Sequence, residues 1–316
     1  MKIIYFGTPR FAVEPLKTLL ANNFNVLAVA TAPDKPAGRG LKVSSSDVKD
    51  FAVSKNLTVF QPEKLNETNF LTELKSLRAD LFVIVAFRKL PEAVWKMPPL
   101  GTINLHASLL PDYRGAAPIN HTIISGETKT GVTTFFINDK IDTGNIILQK
   151  KVSISENETA GELHDKLMHL GASLLLETVG QIQSGNAIEI EQNLFADVNK
   201  IFHSAPKLTR EFCRINWNNS SDITHNFIRG LSPHPSAWTE IVSESEVHRL
   251  NIFRAQKEIV IHNLETGTIV SDNKSFLKIA VPDGFIHPLE LQISGKKKLA
   301  VEEFLRGFKP DNCFFR

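Results

Sequence analysis

The opening of the chain alternates strand, helix and strand, and this order restricts the possible folds more than any other feature. Residues 3–6 form a short apolar run, and residues 24–31 form a second one. Between them, Thr8-Pro9 has the form of a helix start, and apolar side chains recur at helical spacing over residues 11–20. The pattern predicts a right-handed crossover between parallel strands, as in a Rossmann-like α/β sheet.

Two polar residues in a later strand are the best candidates for function. The wholly apolar residues 81–86 predict a central strand of the sheet, and another strand follows over residues 101–107. In that second strand Asn104 and His106 lie two positions apart, so they point to one face. A histidine satisfied within the core is the simple alternative. Because open parallel sheets bind ligands at the carboxyl ends of their strands, we expect a ligand site here.

Composition describes an ordinary globular protein. The chain has 316 residues, enough for two domains, and its net charge of +2 is too small to indicate nucleic acid by itself. The two cysteines, Cys213 and Cys313, have no metal-like spacing and favour a reducing compartment. The N-terminal residues lead directly into a strand, unlike a signal peptide, and the longest apolar run is too short to span a bilayer. We therefore expect a cytoplasmic protein without a membrane partner.

Two other enzyme classes share short motifs with the chain. A nicotinamide enzyme needs Gly-x-Gly-x-x-Gly at the first turn, whereas residues 7–12 read Gly-Thr-Pro-Arg-Phe-Ala. Asp142-Thr-Gly144 spells the signature of aspartic proteases, but that reaction needs two carboxylates sharing one proton. With one such triplet in the chain, a protease would have to be a homodimer. Neither class fits the sequence well.

The segment around Asn104 resembles the signature of the folate-dependent formyltransferases. The matching residues are Asn104-x-His106, Ser108-Leu-Leu-Pro111, Arg114-Gly115, Pro118 and Asp142-x-Gly144. The resemblance implies acyl transfer from 10-formyltetrahydrofolate, with Asn104, His106 and Asp142 as catalytic residues and no metal. Asn104 and a protonated His106 would donate hydrogen bonds to the oxygen that gains charge, and Asp142 would keep the imidazole charged and relay protons.

Family resemblance also implies where the folate binds. In the family the Ser-Leu-Leu-Pro segment contacts the folate, and the loop after the central strand grips the pterin ring. The implied folate contacts in this chain are Phe87, Arg88, Ser108, Leu109, Leu110, Pro111 and Asp142. Residues 87–91 read Phe-Arg-Lys-Leu-Pro here, without the family's glycine and one residue shorter.

Basic residues in two loops are candidates for contact with RNA. Residues 33–40, Pro-Asp-Lys-Pro-Ala-Gly-Arg-Gly, are similar to an insertion typical of family members that formylate methionyl-tRNA. The resemblance implies that Arg39, together with Lys35 and Lys42, meets the acceptor end of the tRNA. Lys296 and Lys297 match a Gly-Lys-Lys motif of the family and are candidates for phosphate contact. Solvated turns are the alternative for both loops.

The second half of the chain predicts a separate β domain. After a long amphipathic helix over residues 159–182, periodicity is lost over residues 186–206, which favours a linker. Short alternating runs separated by turns then predict a small β-barrel. The resemblance implies a formyltransferase catalytic domain over residues 1–185 and an OB-like tRNA-binding domain over residues 207–316, in a monomer.

The implied reaction is formylation of the α-amino group of methionyl-initiator-tRNA for translation initiation. Three alternatives stay open from the residues alone. They are a formyltransferase acting on a sugar nucleotide or on glycinamide ribonucleotide, a 10-formyltetrahydrofolate hydrolase, and a catalytically silent tRNA-binding module.

Overall fold

The computed structural model describes residues 1–37, 42–195, 202–242, 247–310 and 313–315. Close packing divides the chain into two units, neither of which is a continuous segment. The first comprises Met1–Gly115, Thr130–Val152 and His164–Ser204, and the second comprises Ala116–Lys129, Ser153–Leu163 and Ala205–Arg316. The linear domain boundaries expected from the sequence, with a linker over residues 186–206, stay a prediction.

Both units contain β-strands. In chain order the described strands are β1 (Lys2–Gly7), β2 (Asn25–Ala30), β3 (Lys35–Ala37), β4 (Lys42–Ser44), β5 (Thr58–Phe60), β6 (Leu81–Val85), β7 (Thr102–His106), β8 (Arg114–Gly115), β9 (Lys129–Phe136), β10 (Ile146–Ser153), β11 (Ser204–Ala205), β12 (Ala237–Val242), β13 (Val247–Ile259), β14 (Ile269–Ser271), β15 (Leu277–Val281), β16 (Gly284–Ile293), β17 (Leu299–Ala300) and β18 (Phe314–Phe315).

Helices cover the sheets and connect them. The described α-helices are α1 (Val13–Ala21), α2 (Asp47–Ser54), α3 (Thr68–Ser76), α4 (Glu92–Trp95), α5 (Pro118–Ile124), α6 (Ala160–Gln183), α7 (Ser221–Leu231) and α8 (Val301–Gly307). Two short 3₁₀ turns lie at Arg10–Ala12 and Gln192–Phe195.

A seven-stranded sheet in the order β10-β9-β7-β6-β1-β2-β5 forms the centre of the first unit. β1 pairs in parallel with both β2 and β6, and β6 pairs in parallel with β7. The chain moves from β1 outward to β2 and β5 and then returns to β6 on the opposite side, so the strand order reverses next to β1. β9 is antiparallel to β7. The mostly parallel α/β sheet predicted from the sequence is confirmed.

Burial in the first unit follows the sequence pattern. All five residues of β6 are buried, as the apolar run predicted for a central strand. α6 buries the apolar side chains Leu167, Leu174 and Leu175 against the unit. Gly171 of this helix lies so close to β7 that a Cβ atom there would be 2.9 Å from Leu105 Cδ2. The helix therefore packs directly behind the strand that carries Asn104 and His106.

The helix starts show where a local signal in the sequence was enough to predict the beginning of a helix. Ser46 caps α2, with its Oγ accepting a hydrogen bond from the Lys49 N–H at 3.1 Å. Thr159 and Glu162 form a reciprocal capping box at the start of α6. The predicted helix start at Thr8-Pro9 is wrong: a 3₁₀ turn comes first and the α-helix begins at Val13. That first turn has no side-chain cap, so the Thr-Pro pair only marked the end of the strand.

The second unit contains a nearly closed antiparallel barrel. Its strands follow the order β14-β15-β16-β13-β12-β18, with β17 paired to β16. A bridge between Thr268 and Phe314 joins the two ends of this order. Trp217, Ile252 and Leu291 belong to the barrel's hydrophobic core, and α7 and α8 contribute Ile228 and Phe304. The predicted OB-like barrel is confirmed as an antiparallel, almost closed sheet.

Within the described residues, no helix has both the length and the apolar character that crossing a membrane requires.

Candidate active site

The strand β7 places Asn104 and His106 at its carboxyl end, as the sequence predicted. β7 pairs on one side with β6 and on the other with β9, so its backbone is fixed from both sides. His106 is the last residue of the strand and is 7% exposed. Asn104 is half-buried, and its side-chain amide makes no hydrogen bond to the part of the chain that the structure describes. A half-buried amide of this kind is free to bind a ligand.

A backbone carbonyl determines which nitrogen of His106 carries the proton. Nε2 lies 3.0 Å from the carbonyl oxygen of Tyr113. A carbonyl only accepts hydrogen bonds, so Nε2 is the protonated nitrogen of the neutral ring. Tyr113 adopts a φ of +58°, which turns this loop back toward the strand. Nδ1 therefore carries the lone pair when the ring is neutral and becomes a second donor when the ring is charged.

Asp142 is the acidic residue that meets Nδ1. It lies in the connection between β9 and β10, and its Oδ2 is 3.8 Å from His106 Nδ1. The same oxygen accepts a hydrogen bond of 3.0 Å from the Gly115 N–H. Both side chains are about nine-tenths buried. The separation is longer than a hydrogen bond, so the pair interacts through charge or through a group between the two side chains.

The Asp142 turn needs the glycine that follows it. Asp142 itself has a φ of +54°, in the left-handed region. At Gly144 a Cβ atom would lie 1.6 Å from the carbonyl oxygen of Phe136, so no other residue fits without displacing the chain. The Asp-x-Gly motif is thus a steric requirement of the turn that holds the carboxylate.

The segment from Ser108 to Pro111 forms a buried loop after β7. Ser108 is fully buried, and its Oγ donates to the carbonyl oxygen of Asp112 at 2.6 Å. Leu110 and Pro111 are buried, and Leu109 is half-buried. Thr133 of β9 binds the loop at two points, donating to the Ser108 carbonyl and accepting from the Leu110 N–H. Because these side chains are engaged within the unit, a ligand at this loop would meet mainly its backbone and the Leu109 side chain.

Phe87 and Arg88 follow the central strand β6. The Phe87 ring packs on Phe6, with the ring centroids 5.7 Å apart. The Arg88 guanidinium donates to the backbone carbonyl oxygens of Pro62 and Glu63. A cavity of about 290 Å³ opens beside Arg88 and is lined by residues 88–91 with Leu65 and Asn66. The structure therefore gives Arg88 a role in holding this loop.

The basic residues that are candidates for contact with RNA are exposed wherever the structure describes their side chains. Lys35 lies in the hairpin formed by β3 and β4, and Lys296 and Lys297 lie between β16 and β17 of the other unit. Arg39 and the side chain of Lys42 lie outside the described residues. Asp34 anchors the base of the hairpin through a 2.5 Å ion pair with Lys49, which together with a hydrogen bond from Gln61 lowers the pKa of the Asp34 carboxyl.

Sequence reasoning missed one residue that contacts this group of side chains. Gln192 is 5% exposed, and its Nε2 donates to the backbone oxygens of Asp142 and Gly144 at 2.9 and 2.8 Å. Its Oε1 accepts two hydrogen bonds from Arg114. Burial lowers the pKa of Arg114, while the charge of Asp142 acts in the opposite direction. Gln192 lies in a stretch without periodicity, so no local pattern distinguished it.

Among the residues described, no three His, Cys, Asp or Glu side chains lie close enough together to hold a metal ion.

Comparisons with known proteins show which family the chain resembles over nearly its whole length. A model described as "Formyl transferase" matches residues 1–179, and one described as "Formyl transferase, C-terminal domain" matches residues 207–309. The methionyl-tRNA formyltransferase of Bacteroides fragilis is 50% identical over 315 residues, covering 99% of this chain and 97% of the relative. That of Flavobacterium johnsoniae is 50% identical over 307 residues, covering 97% and 96%.

Solved structures show the same fold at much lower identity. The N-formyltransferase from Helicobacter canadensis, in complex with folinic acid and dTDP-3-aminofucose, matches with a TM-score of 0.65 and 22% identity, covering 91% of this chain and 98% of that one. HypX from Aquifex aeolicus in complex with tetrahydrofolic acid matches with a TM-score of 0.63 and 19% identity, covering 98% of this chain and 48% of that one. With both domain models matched and curated relatives half identical over nearly its whole length, this chain belongs to the formyl transferase family.

Proposed function

We propose that this protein transfers the formyl group of 10-formyltetrahydrofolate to the α-amino group of methionyl-initiator-tRNA. The observation that carries the proposal is the approach of Asp142 to His106 at the end of β7, with Asn104 two residues earlier on the same strand. Curated relatives at about 50% identity are named methionyl-tRNA formyltransferases, which supports this acceptor. The product, N-formylmethionyl-tRNA, serves translation initiation, and this role predicts a cytoplasmic location.

Asn104 and His106 would stabilise the charge that develops during transfer. When the amine attacks the formyl carbon, negative charge builds on the formyl oxygen. Asn104 offers an amide N–H that has no partner among the described residues, and a charged His106 would offer Nδ1–H on the same face of the strand, since Nε2–H is already bound to Tyr113. Donors fixed in a largely buried site stabilise such an oxyanion without reorganisation during the reaction. The two residues therefore act as an oxyanion site.

Asp142 and His106 would relay the protons that leave the amine and reach the folate nitrogen. The attacking amine must lose a proton, and the leaving nitrogen of the folate must gain one. Asp142 Oδ2 lies 3.8 Å from His106 Nδ1, so a group that binds to both can pass a proton between them. Its carboxylate is held in place by the Gly115 N–H. We assign Asp142 the roles of orienting His106 and relaying protons.

Folate would bind along the two loops next to this group. The proposed contacts are Phe87, Arg88, Ser108, Leu109, Leu110, Pro111 and Asp142. Formyl transferases of this fold have been crystallised with folinic acid, which supports a folate donor. The Asn104 amide has no partner among the described residues, so it suits an acyl oxygen carried on a bound donor. The reaction itself needs no metal, because the residues supply both donors and the proton relay.

The tRNA would be held by basic residues on both domains. We assign the acceptor end to Arg39, Lys35 and Lys42, which lie close together in the sequence, because an arginine can stack on an unpaired base and bind phosphate. Residues 207–316 would form the tRNA-binding domain, with Lys296 and Lys297 as phosphate contacts. The catalytic domain would extend over residues 1–185, and a single copy would carry both sites.

Formyl transfer with radiolabelled methionyl-initiator-tRNA tests the proposal. Elongator methionyl-tRNA and free methionine serve as matched acceptors. Transfer to the initiator alone is the expected result. In the same assay, Asn104→Ala and Asp142→Ala should lower kcat, the former by roughly 100- to 1000-fold for the loss of one oxyanion donor.

Each other outcome points to a different reaction. Near-normal turnover by a folded Asn104→Ala or Asp142→Ala variant would show that the mechanism is wrong. Release of formate without any tRNA acceptor would indicate a hydrolase. If folate binds and no tRNA is formylated, the acceptor is a sugar nucleotide or another amine. Binding of tRNA without binding of folate would indicate a silent RNA-binding protein.

A further inference from the structure

Every hydrogen-bonding group of the Gln192 side-chain amide has a partner. The chemistry of these partners fixes which end of the amide is the oxygen. Arg114 can only donate, so the atom facing it must be the oxygen, at 3.1 Å from Nε and 2.5 Å from Nη2. The other end faces the two carbonyl oxygens of Asp142 and Gly144, which can only accept. Both amide protons and the amide oxygen are therefore used, in a side chain that is almost wholly buried.

These contacts close a ring around the Asp142 carboxylate. Arg114 is followed by Gly115, whose N–H binds Asp142 Oδ2. The backbone oxygen of Asp142 binds Gln192, and Gln192 binds Arg114. Gln192 thus holds both the residue that carries the carboxylate and the segment that donates to it. Gln192 therefore joins Arg114 to the Asp142 turn through a single side chain.

We propose that Gln192 is a positioning residue for formyl transfer, acting through Asp142. This inference rests on the proposed role of Asp142 in the reaction. The four hydrogen bonds of Gln192 go to Arg114, Asp142 and Gly144 and not to His106, so it contributes by fixing the carboxylate 3.8 Å from Nδ1. Without it, a buried and a partly buried carbonyl oxygen and a guanidinium lose their partner, and the turn is free to shift. A shift of about 1 Å in a catalytic group can lower the rate about 100-fold.

Two substitutions of Gln192 test the hydrogen bonds made by the two ends of its side-chain amide. Gln192→Met keeps the length of the side chain and removes every hydrogen bond. Gln192→Glu keeps an acceptor for Arg114 but turns a carboxylate oxygen toward the carbonyl oxygens of Asp142 and Gly144. Because both variants lose the bonds to the Asp142 turn, both should lower kcat by about 10- to 100-fold, with KM for the folate and the tRNA changed less than about threefold.

Matched controls separate positioning from general loss of stability. Thr178→Val removes a buried hydroxyl that bonds to Thr134 and to the Leu174 carbonyl in the same unit, and neither bond involves Asp142. Asn193→Ala removes the neighbouring amide, which donates a hydrogen bond to the exposed Glu191. Both controls should keep wild-type kcat, even where Thr178→Val lowers the melting temperature as much as Gln192→Met does.

The deciding experiment is a double-mutant cycle with Asp142→Ala, measured as single-turnover formyl transfer. If Gln192 acts through Asp142, adding Gln192→Met to Asp142→Ala lowers the rate less than twofold further. Losses that multiply would overturn the proposal. A crystal structure of Gln192→Met gives a readout without activity: the Asp142–Gly144 turn must be displaced, and an unmoved turn also overturns the proposal. A wild-type protein that transfers formyl to no tRNA refutes the proposed function instead.

Discussion

Replacing Gly144 by alanine should disable the protein through a backbone clash close to Asp142. The added Cβ atom would lie 1.6 Å from the carbonyl oxygen of Phe136. Contacts of this kind stay above about 3.0 Å in proteins, so the turn or the strand must move by roughly 1.4 Å. Misplacement of a catalytic group by about 1 Å can cost about 100-fold in rate. We therefore expect kcat to fall at least about 100-fold, with a loss of stability of about 1–3 kcal/mol.

The assay is formyl transfer to methionyl-initiator-tRNA, with thermal unfolding measured on the same samples. Gly180→Ala is the matched control, because a Cβ atom there would meet nothing within 4 Å and the residue lies inside α6. That substitution should leave kcat unchanged. It should raise the free energy of unfolding by about 0.5–1 kcal/mol, as expected when alanine replaces glycine inside a helix. If folded Gly144→Ala kept activity within threefold of wild type, the turn would not be what positions Asp142, and the reasoning would be refuted.

Three further predictions concern the tRNA contact, pH and a helix cap. Arg39→Ala should lower kcat/KM for methionyl-tRNA by a factor that corresponds to about 1–3 kcal/mol, while KM for the folate stays unchanged. Equal effects on the tRNA and the folate would contradict the assignment of Arg39 to the tRNA. Burial lowers the pKa of His225, helped by the charges of Arg229 and Lys257, so the neutral ring is the folded form. The melting temperature should therefore drop as pH falls below the unfolded value of about 6.5, and His225→Gln should flatten this dependence between pH 7.5 and 5.5. Ser46→Ala should cost about 1 kcal/mol in chemical denaturation, because it removes the cap of α2; no change would mean that the Lys49 N–H finds another partner.

Several parts of the structure could be predicted because the signals are local. The burial of β6 and the shared face of the polar pair on β7 both follow from the residue pattern within a single strand. The Ser46 cap likewise involves residues a few positions apart. Asp142 was found through a motif whose glycine is required by a clash within the same turn. In each case the physical requirement and the residues that meet it are neighbours in the chain.

Tertiary structure decided the features that join distant segments. Tyr113 fixes the proton on His106 through a carbonyl oxygen, a group that every residue possesses and that leaves no mark in the sequence. The helix start was misplaced because a Thr-Pro pair serves a strand end as well as a helix start.

The sequence by itself determined the class of fold and the family resemblance, and it predicted Asn104, His106 and Asp142 as the catalytic group, because these depend on local patterns. Only the tertiary structure assigned Gln192 to Asp142 and Arg114, residues 50 and 78 positions away. A side-chain amide can bind any carbonyl or guanidinium that folding brings to it, and its partners are chosen by the path of the whole chain.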